Sequence, residues 1–320
     1  NKRKMVAVDN IMSFNYYRDF LSGLALLNVE MFFETKSNLL EWQIAAFAKA
    51  GIKHFQPGLE GLSTRILRIM RKGVRRHQNI ETLKWCQTYN VSPLWFYLYQ
   101  FPGDRPEDYL DDASLMQRLV HLPPPKGLNP VTIDRFSPLY ADTTGFGLGE
   151  LRPVRECMVA YSGLPEKLVA RLVYHFESDT IGSPTSTYLP ALSMALSGWK
   201  QAYTQKVFLF SIVGDTTTLI IDGRRPNDVC RAYLMSGRAH ILYRAMHTAV
   251  SFTSLQNHAV EPIVETDMSI RDFAITMAAV RVNAQFIEEP DGPAQVMGFL
   301  ARLDSLQITI CCDDNLWLGL

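Results

Sequence analysis

The stretch VEMFFETKSNLLEWQIAAFAKAGIKHFQPGLEGL, residues 29–62, decides the fold. Val29–Glu34 is a short β-type run ending in a carboxylate. Asn38–Ala50 then spaces apolar residues as a helix does, with Ser37 or Asn38 as its N-cap and Gly51 as its stop. Ile52–Gln56 is strand again. A strand, a helix of this length and a second strand make a parallel β-α-β unit with a right-handed crossover.

The same unit recurs on both sides. Upstream, Lys4–Asp9 is a strand and Tyr16–Leu27 has helical spacing. Downstream, the spacing predicts helices over Leu62–Lys72, closed by Gly73, and over Asn79–Tyr89. A strand follows at Pro93–Tyr99, then a helix at Pro106–Leu119. Parallel sheets and barrels place their sites at the carboxyl ends of the strands. Each of the strand ends here carries a carboxylate or an amide: Asp9-Asn10, Glu34 with Lys36, Gln56 to Glu60, and Gln100 to Asp104. Gly58 and Gly103 permit close backbone approach there.

From Leu122 to Arg155 prolines and glycines dominate, around Val131–Phe136. Residues 160–200 regain helical spacing. Val207–Val213 and Thr217–Asp222 flank Gly214-Asp215-Thr216 as a β-hairpin. Helical patterns are read at 227–249 and 268–285. A helix over Ala294–Leu303 and strands over Leu306–Ile310 and Asn315–Leu320 close the chain in winged-helix-like order. The divisions expected are 1–121, a partial barrel; 122–206, an irregular segment with a helical extension; and 207–320, an α+β module.

Composition bounds the function. The chain has 320 residues, 47% apolar and 20% charged, with 32 basic and 32 acidic side chains. That is globular, and its zero balance gives no case for nucleic acid or anionic membrane. No apolar run is long enough to span a bilayer, and residues 1–8 are too poor in apolar side chains for a signal peptide, so a cytoplasmic protein is expected. Residues 1–110 carry 15 Lys/Arg against 10 Asp/Glu, net +5; residues 211–320 carry 8 against 13, net −5, and no lysine. The acidic last third is wrong for phosphate contacts, so a DNA-binding role for the closing module fails. Five cysteines, at 86, 157, 230, 311 and 312, form no Cys-x-x-Cys, and no two histidines are spaced as His-x-x-x-His; no metal site is expected. Arg65, Arg68, Lys72 and Arg75 fall on one helical face, with Arg71 and Arg76 beside them. The ordinary reading is a solvated outer face; the functional one is an anionic partner.

Residues 55–74, followed by Asn79 and Leu83–Cys86, resemble the cobalamin-binding radical S-adenosylmethionine (SAM) proteins that mature ribosomally made peptides, the type called RiPP maturation radical SAM protein 1. Val8–Asn10, Phe33–Leu39, Phe101–Asp104, Leu122–Pro124, Asp134–Pro138 and Phe146–Leu148 match its other landmarks in order. The resemblance is dense over residues 5–155 and thin afterwards. It implies a partial (β/α)6 TIM-like barrel binding SAM, with the family's Cys-x-x-x-Cys-x-x-Cys loop and cobalamin domain upstream of residue 1. The chain opens directly on a strand, so it is expected to be the C-terminal piece of a longer polypeptide. By position, Glu34 matches a ribose-binding carboxylate and Lys36 a partner for the methionyl carboxylate. Gln56, Gly58 and Glu60 match a ligand-facing motif, and Tyr99 and Gln100 the adenine-side loop. The activity implied is cobalamin-assisted C-methylation of a precursor peptide, the [4Fe-4S] cluster and cobalamin being held outside this chain. The alternative is a peptide-binding remnant without chemistry.

Overall fold

The computed structural model describes residues 3–9, 11–27, 29–179, 182–225, 230–259, 283–287, 290, 292–312 and 316–320. Seven short strands build its first part: β1 (Arg3–Val6), β2 (Val29–Phe32), β3 (Glu34–Thr35), β4 (His54–Pro57), β5 (Ser92–Pro93), β6 (Tyr97–Tyr99) and β7 (Leu128–Pro130). All pair in parallel: β1 with β2, β3 with β4, β4 with β5, and β6 with β7. No pairing among the described residues joins β7 back to β1, so the strands form an open arc and no closed barrel.

Alternation explains the layering. Along β4, His54 and Gln56 are exposed while Phe55 and Pro57 are buried. Phe55 packs on Phe47 of the helix Glu41–Lys49, ring centroids 5.2 Å apart, in a core with Phe33, Ile44 and Ile52. That helix starts later than the sequence predicts: its cap is Leu40, whose N–H donates to Gln43 Oε1 at 2.8 Å, and residues 37–39, with a bend at Ser37, precede it outside any helix. The single strand expected over 93–99 is two. Pro93 lacks an N–H, and the chain leaves β4 and reaches β7 only from Tyr97 onward.

Residues 122–155, read as irregular, contain the last strand of the arc, β7. They also hold β8 (Ile133–Asp134) and β9 (Arg152–Pro153), which flank β10 (His175–Glu177) in an antiparallel sheet. Beyond the helix Leu189–Thr204, the hairpin forms as expected: β11 (Leu209–Val213) pairs with β12 (Thr217–Asp222), and Gly214 N–H donates to Thr217 O at 2.8 Å. The helix expected over 227–249 is corrected. Arg231–Ser236 is β13, buried in the middle of its sheet, and only Gly237–Ala245 is helix. A strand buried on both faces has a continuous apolar run that periodicity cannot separate from a helix. Of the helix expected over 268–285, residues 268–282 lie outside the described residues and 283–285 belong to the strand Asn283–Phe286. With β14 (Val250–Ser251), that strand is β15. The helix Val296–Ser305 and the antiparallel pair β16 (Thr309–Cys312) and β17 (Leu316–Gly319) close the chain, β14 adding to β17.

One buried cluster runs from Leu59 through Trp95, Trp199 and Tyr233 to Leu320, joining the arc to the C-terminal sheets. Among the described residues no helix is long and apolar enough to cross a membrane.

Candidate functional site

Burial alternates after Phe33: Glu34, Lys36 and Asn38 are exposed, whereas Thr35, Ser37 and Leu39 are buried. Parallel pairing sets Glu34 beside Gln56 and Thr35 beside Pro57. The carboxyl ends of β3 and β4 therefore open onto one cavity of about 830 Å³, whose lining includes Glu34, Lys36, Gln56, Gly58 and Glu60. The sequence reading assembled those five residues from two strand ends, and the structure brings them together.

The loop after β4 is pinned on several sides. Gly58 N–H donates to Thr35 O at 3.0 Å, and Asn79 Nδ2, fully buried, donates to Leu59 O at 2.9 Å and Gly61 O at 2.7 Å. Leu98 N–H donates to Glu60 O at 2.9 Å, tying the loop to β6. Held this way, Glu60 adopts φ 59°, the left-handed region that a non-glycine residue rarely takes. Its carboxylate meets Lys72 Nζ at 2.6 Å. A Cβ on Gly58 would lie 3.2 Å from that same Nζ, so the glycine leaves room for the ion pair.

Lys72 is the residue the sequence reading misassigned. The helix there spans only Thr64–Ile69, and the chain turns at Arg71 (φ 58°) and Gly73 (φ 71°), which ends the single basic face. The cations go to separate carboxylates instead: Arg65 to Asp108 at 2.5 Å, Arg71 to Asp142 at 2.7 Å, Lys72 to Glu60, and Arg76 to Asp112 at 3.2 Å. Arg71 also lies 4.3 Å from the centroid of the Phe146 ring, and both line the cavity rim. Asp134 lines it too, its Oδ1 2.7 Å from His175 Nδ1. The site thus carries both signs, Glu34, Glu60 and Asp134 against Lys36, Arg71 and Lys72.

Tyr99 and Gln100 do not line this cavity, although their neighbours Leu98 and Phe101 do. Tyr99 lies 6.4 Å from the Tyr188 ring, and Gln100, at φ 68°, donates its N–H to Tyr109 Oη at 2.9 Å. Tyr109 in turn donates to Asp104 at 2.7 Å and stacks on Tyr188, centroids 4.2 Å apart. Tyr99 follows the cavity-lining Leu98 on β6 and so falls on the strand's other face, while Gln100 leaves strand geometry at its positive φ. Among the described residues no three His, Cys, Asp or Glu side chains are grouped to hold a metal ion.

No family profile and no curated protein matches the chain. Solved structures with a likeness to the chain include some described as radical SAM enzymes. TsrM of Kitasatospora setae, described as a radical S-adenosylmethionine methyltransferase with cobalamin and a [4Fe-4S] cluster bound, shares 13% identity at a TM-score of 0.36, over 42% of this chain and 27% of its own. Elp3 of Methanocaldococcus infernus shares 11% at 0.35, over 100% of this chain and 90% of its own. The coproporphyrinogen III oxidase HemN of Escherichia coli, described as a radical SAM enzyme, shares 8% at 0.34, over 91% and 66%. The chain spans about a quarter of the length of TsrM.

Proposed function

We propose that this chain is the C-terminal part of a radical SAM enzyme that matures a ribosomally made peptide, by cobalamin-assisted C-methylation, in the cytoplasm. The observation that carries the reading is the convergence of Glu34, Lys36, Gln56, Gly58 and Glu60 on one cavity. Those are the positions that the sequence resemblance marks for SAM. The volume suits a ligand of that size. SAM is a zwitterion with a ribose diol and a sulfonium, and the cavity offers both charges. Glu34 accepts from the ribose hydroxyls, Lys36 pairs with the methionyl carboxylate, and the loop Gln56–Glu60 approaches the ligand with its backbone at Gly58. Lys72 holds Glu60 in place rather than touching SAM first. The closing helix and hairpin are read as winged-helix-like and as a support for the peptide.

The described residues do not fit the iron–sulfur cluster. It needs three thiolates from one short loop, and the cysteines outside the 311–312 pair are far apart in sequence, with Cys86 buried.

Titration calorimetry with SAM tests the reading. Binding to the full chain is expected, weakened about tenfold by Glu34→Gln and similarly by Lys36→Ala, the range for losing one charged hydrogen bond. No binding, or binding indifferent to both substitutions, overturns it and leaves the peptide-binding remnant.

A further inference from the structure

A second cavity, also about 830 Å³, lies between the helix Arg76–Thr88 and the C-terminal sheets and shares no lining residue with the first. Its walls are aromatic and apolar, with Trp85, Phe208, Phe210, Tyr243 and Met246. Lys84, Arg244 and His247 line it, with His121, whose imidazole burial keeps neutral, and no described Asp or Glu side chain does. Lys84 Nζ donates to His247 O at 2.8 Å and Gly319 O at 2.9 Å, and lies 4.8 Å from the Trp85 ring centroid. Glu41 pairs with His247 Nε2 at 2.8 Å without lining the cavity, and Glu41 and Glu81 both act on Lys84, so Arg244 carries the cavity's remaining positive charge.

One wall is the edge strand β11, first in the order β11-β12-β13-β15. Its residues, Leu-Phe-Ser-Ile-Val, include none of the charges that usually protect a sheet edge. The bonds Gly223 N–H to Phe208 O and Gly214 N–H to Thr217 O, both 2.8 Å, mark every second residue as the one bonded to β12. Phe210 and Ile212 share that phase. Leu209, Ser211 and Val213 therefore turn their N–H and C=O groups away from the sheet, and these three also line the cavity. Phe210 and Ile212 keep 46% and 57% of their surface exposed.

We infer that this groove binds an extended acidic peptide segment, which adds to β11 as a further strand and sets a carboxylate against Arg244. Strand addition draws affinity from the backbone bonds and selectivity from the alternate side chains. The net −5 of residues 211–320 points to a basic partner, but the local lining reverses that. A second copy of this chain is the poorer occupant: β11 holds no carboxylate to answer Arg244. The inference goes beyond the SAM reading, since the groove needs no reaction to hold its peptide.

Selection of displayed random decapeptides on the full chain, followed by fluorescence anisotropy of the enriched ones, tests it. Enriched peptides are expected to carry Asp or Glu. Ser211→Pro, which removes an outward N–H and leaves the β12 ladder intact, should weaken them about tenfold, and Arg244→Ala about threefold. N-methylation of alternate amides in an enriched peptide should abolish binding to the unaltered chain, a readout that holds even where Ser211→Pro does not fold. No enrichment, peptides without acidic residues, or binding that survives N-methylation overturns the inference. A dimer in sedimentation that Ser211→Pro dissociates overturns it in favour of a second copy. SAM titration on the same samples fails or succeeds separately.

Discussion

Glu60 holds a left-handed backbone at φ 59° and is about two-thirds buried beside Lys72, so its position depends on contacts made elsewhere in the chain. Such a residue stores about 1–3 kcal/mol of backbone strain, which the surrounding bonds must offset. Gly58 is the neighbour that leaves the space. In Gly58→Ala the added methyl meets Lys72 Nζ, the end of a flexible side chain, so the fold should tolerate it while the ion pair moves. The expected outcome is a melting midpoint within about 2 °C of the parent and SAM affinity down about tenfold. A second residue reports on pH. Asp112 is fully buried, and burial pushes its carboxyl up to about 6 from 3.8, although Arg76 and Tyr97 Oη, which donates at 2.6 Å, favour the carboxylate. Because the folded form keeps its proton to higher pH than the unfolded chain, this group's stabilisation is full below about pH 3.8. It is lost as pH rises through about 6, up to about 3 kcal/mol in all. Urea unfolding across pH 4 to 7 should show a smaller fall in Asp112→Asn than in the parent.

At the scale of elements, the loop after β4 decides the cavity, and Asn79 on the helix Arg76–Thr88 decides the loop. Both of its amide hydrogens go to loop carbonyls in a site with no water access. Asn79→Asp replaces those donors by acceptors facing two carbonyl oxygens, and should lose about 3 kcal/mol in urea unfolding together with SAM binding. The short helix Thr64–Ile69 begins at Ser63, whose Oγ accepts from Ile66 N–H at 3.3 Å. Ser63→Ala should lose about 1 kcal/mol, leaving the cavity intact. Comparing the two separates the loop's anchoring from general loss of stability: only the first should change SAM affinity beyond its effect on folding.

Across the whole molecule, Lys84 links the helix Arg76–Thr88 to β17 at Gly319 and to the segment before β14 at His247, through two charged hydrogen bonds. Burial lowers its ammonium to about 8. Since the folded form releases its proton first, stability should rise as pH climbs from about 8 toward 10.5, and Lys84→Met should flatten that rise. At neutral pH the same substitution orphans two carbonyls, and a loss of about 2–4 kcal/mol is expected. The cysteines make a further test. Anaerobic reconstitution with iron and sulfide should give no stoichiometric cluster on this chain, and a bound cluster seen by electron paramagnetic resonance would contradict the placement of its ligands elsewhere.

The parallel β-α order, the hairpin at Gly214 and the strand-end residues Glu34, Lys36, Gln56, Gly58 and Glu60 were legible in the sequence, because each rests on local periodicity, turn chemistry or chain polarity. β13 was not, because a fully buried strand has no polar face to mark its period. Tyr99 and Gln100 were placed at the rim from the strand's end at Tyr99, which is where it ends, but alternation turns Tyr99 away from the face of Leu98, and Gln100 takes a positive φ no spacing announces. Lys72 belonged to an apparent basic face until the turn at Arg71 and Gly73 carried it to Glu60. The sequence by itself determined which backbone segments alternate and which ends share a rim. Only the tertiary structure decided which charges meet there, because ion pairing depends on the closure of loops between elements, and that closure is set by long-range bonds such as those of Asn79 and Leu98.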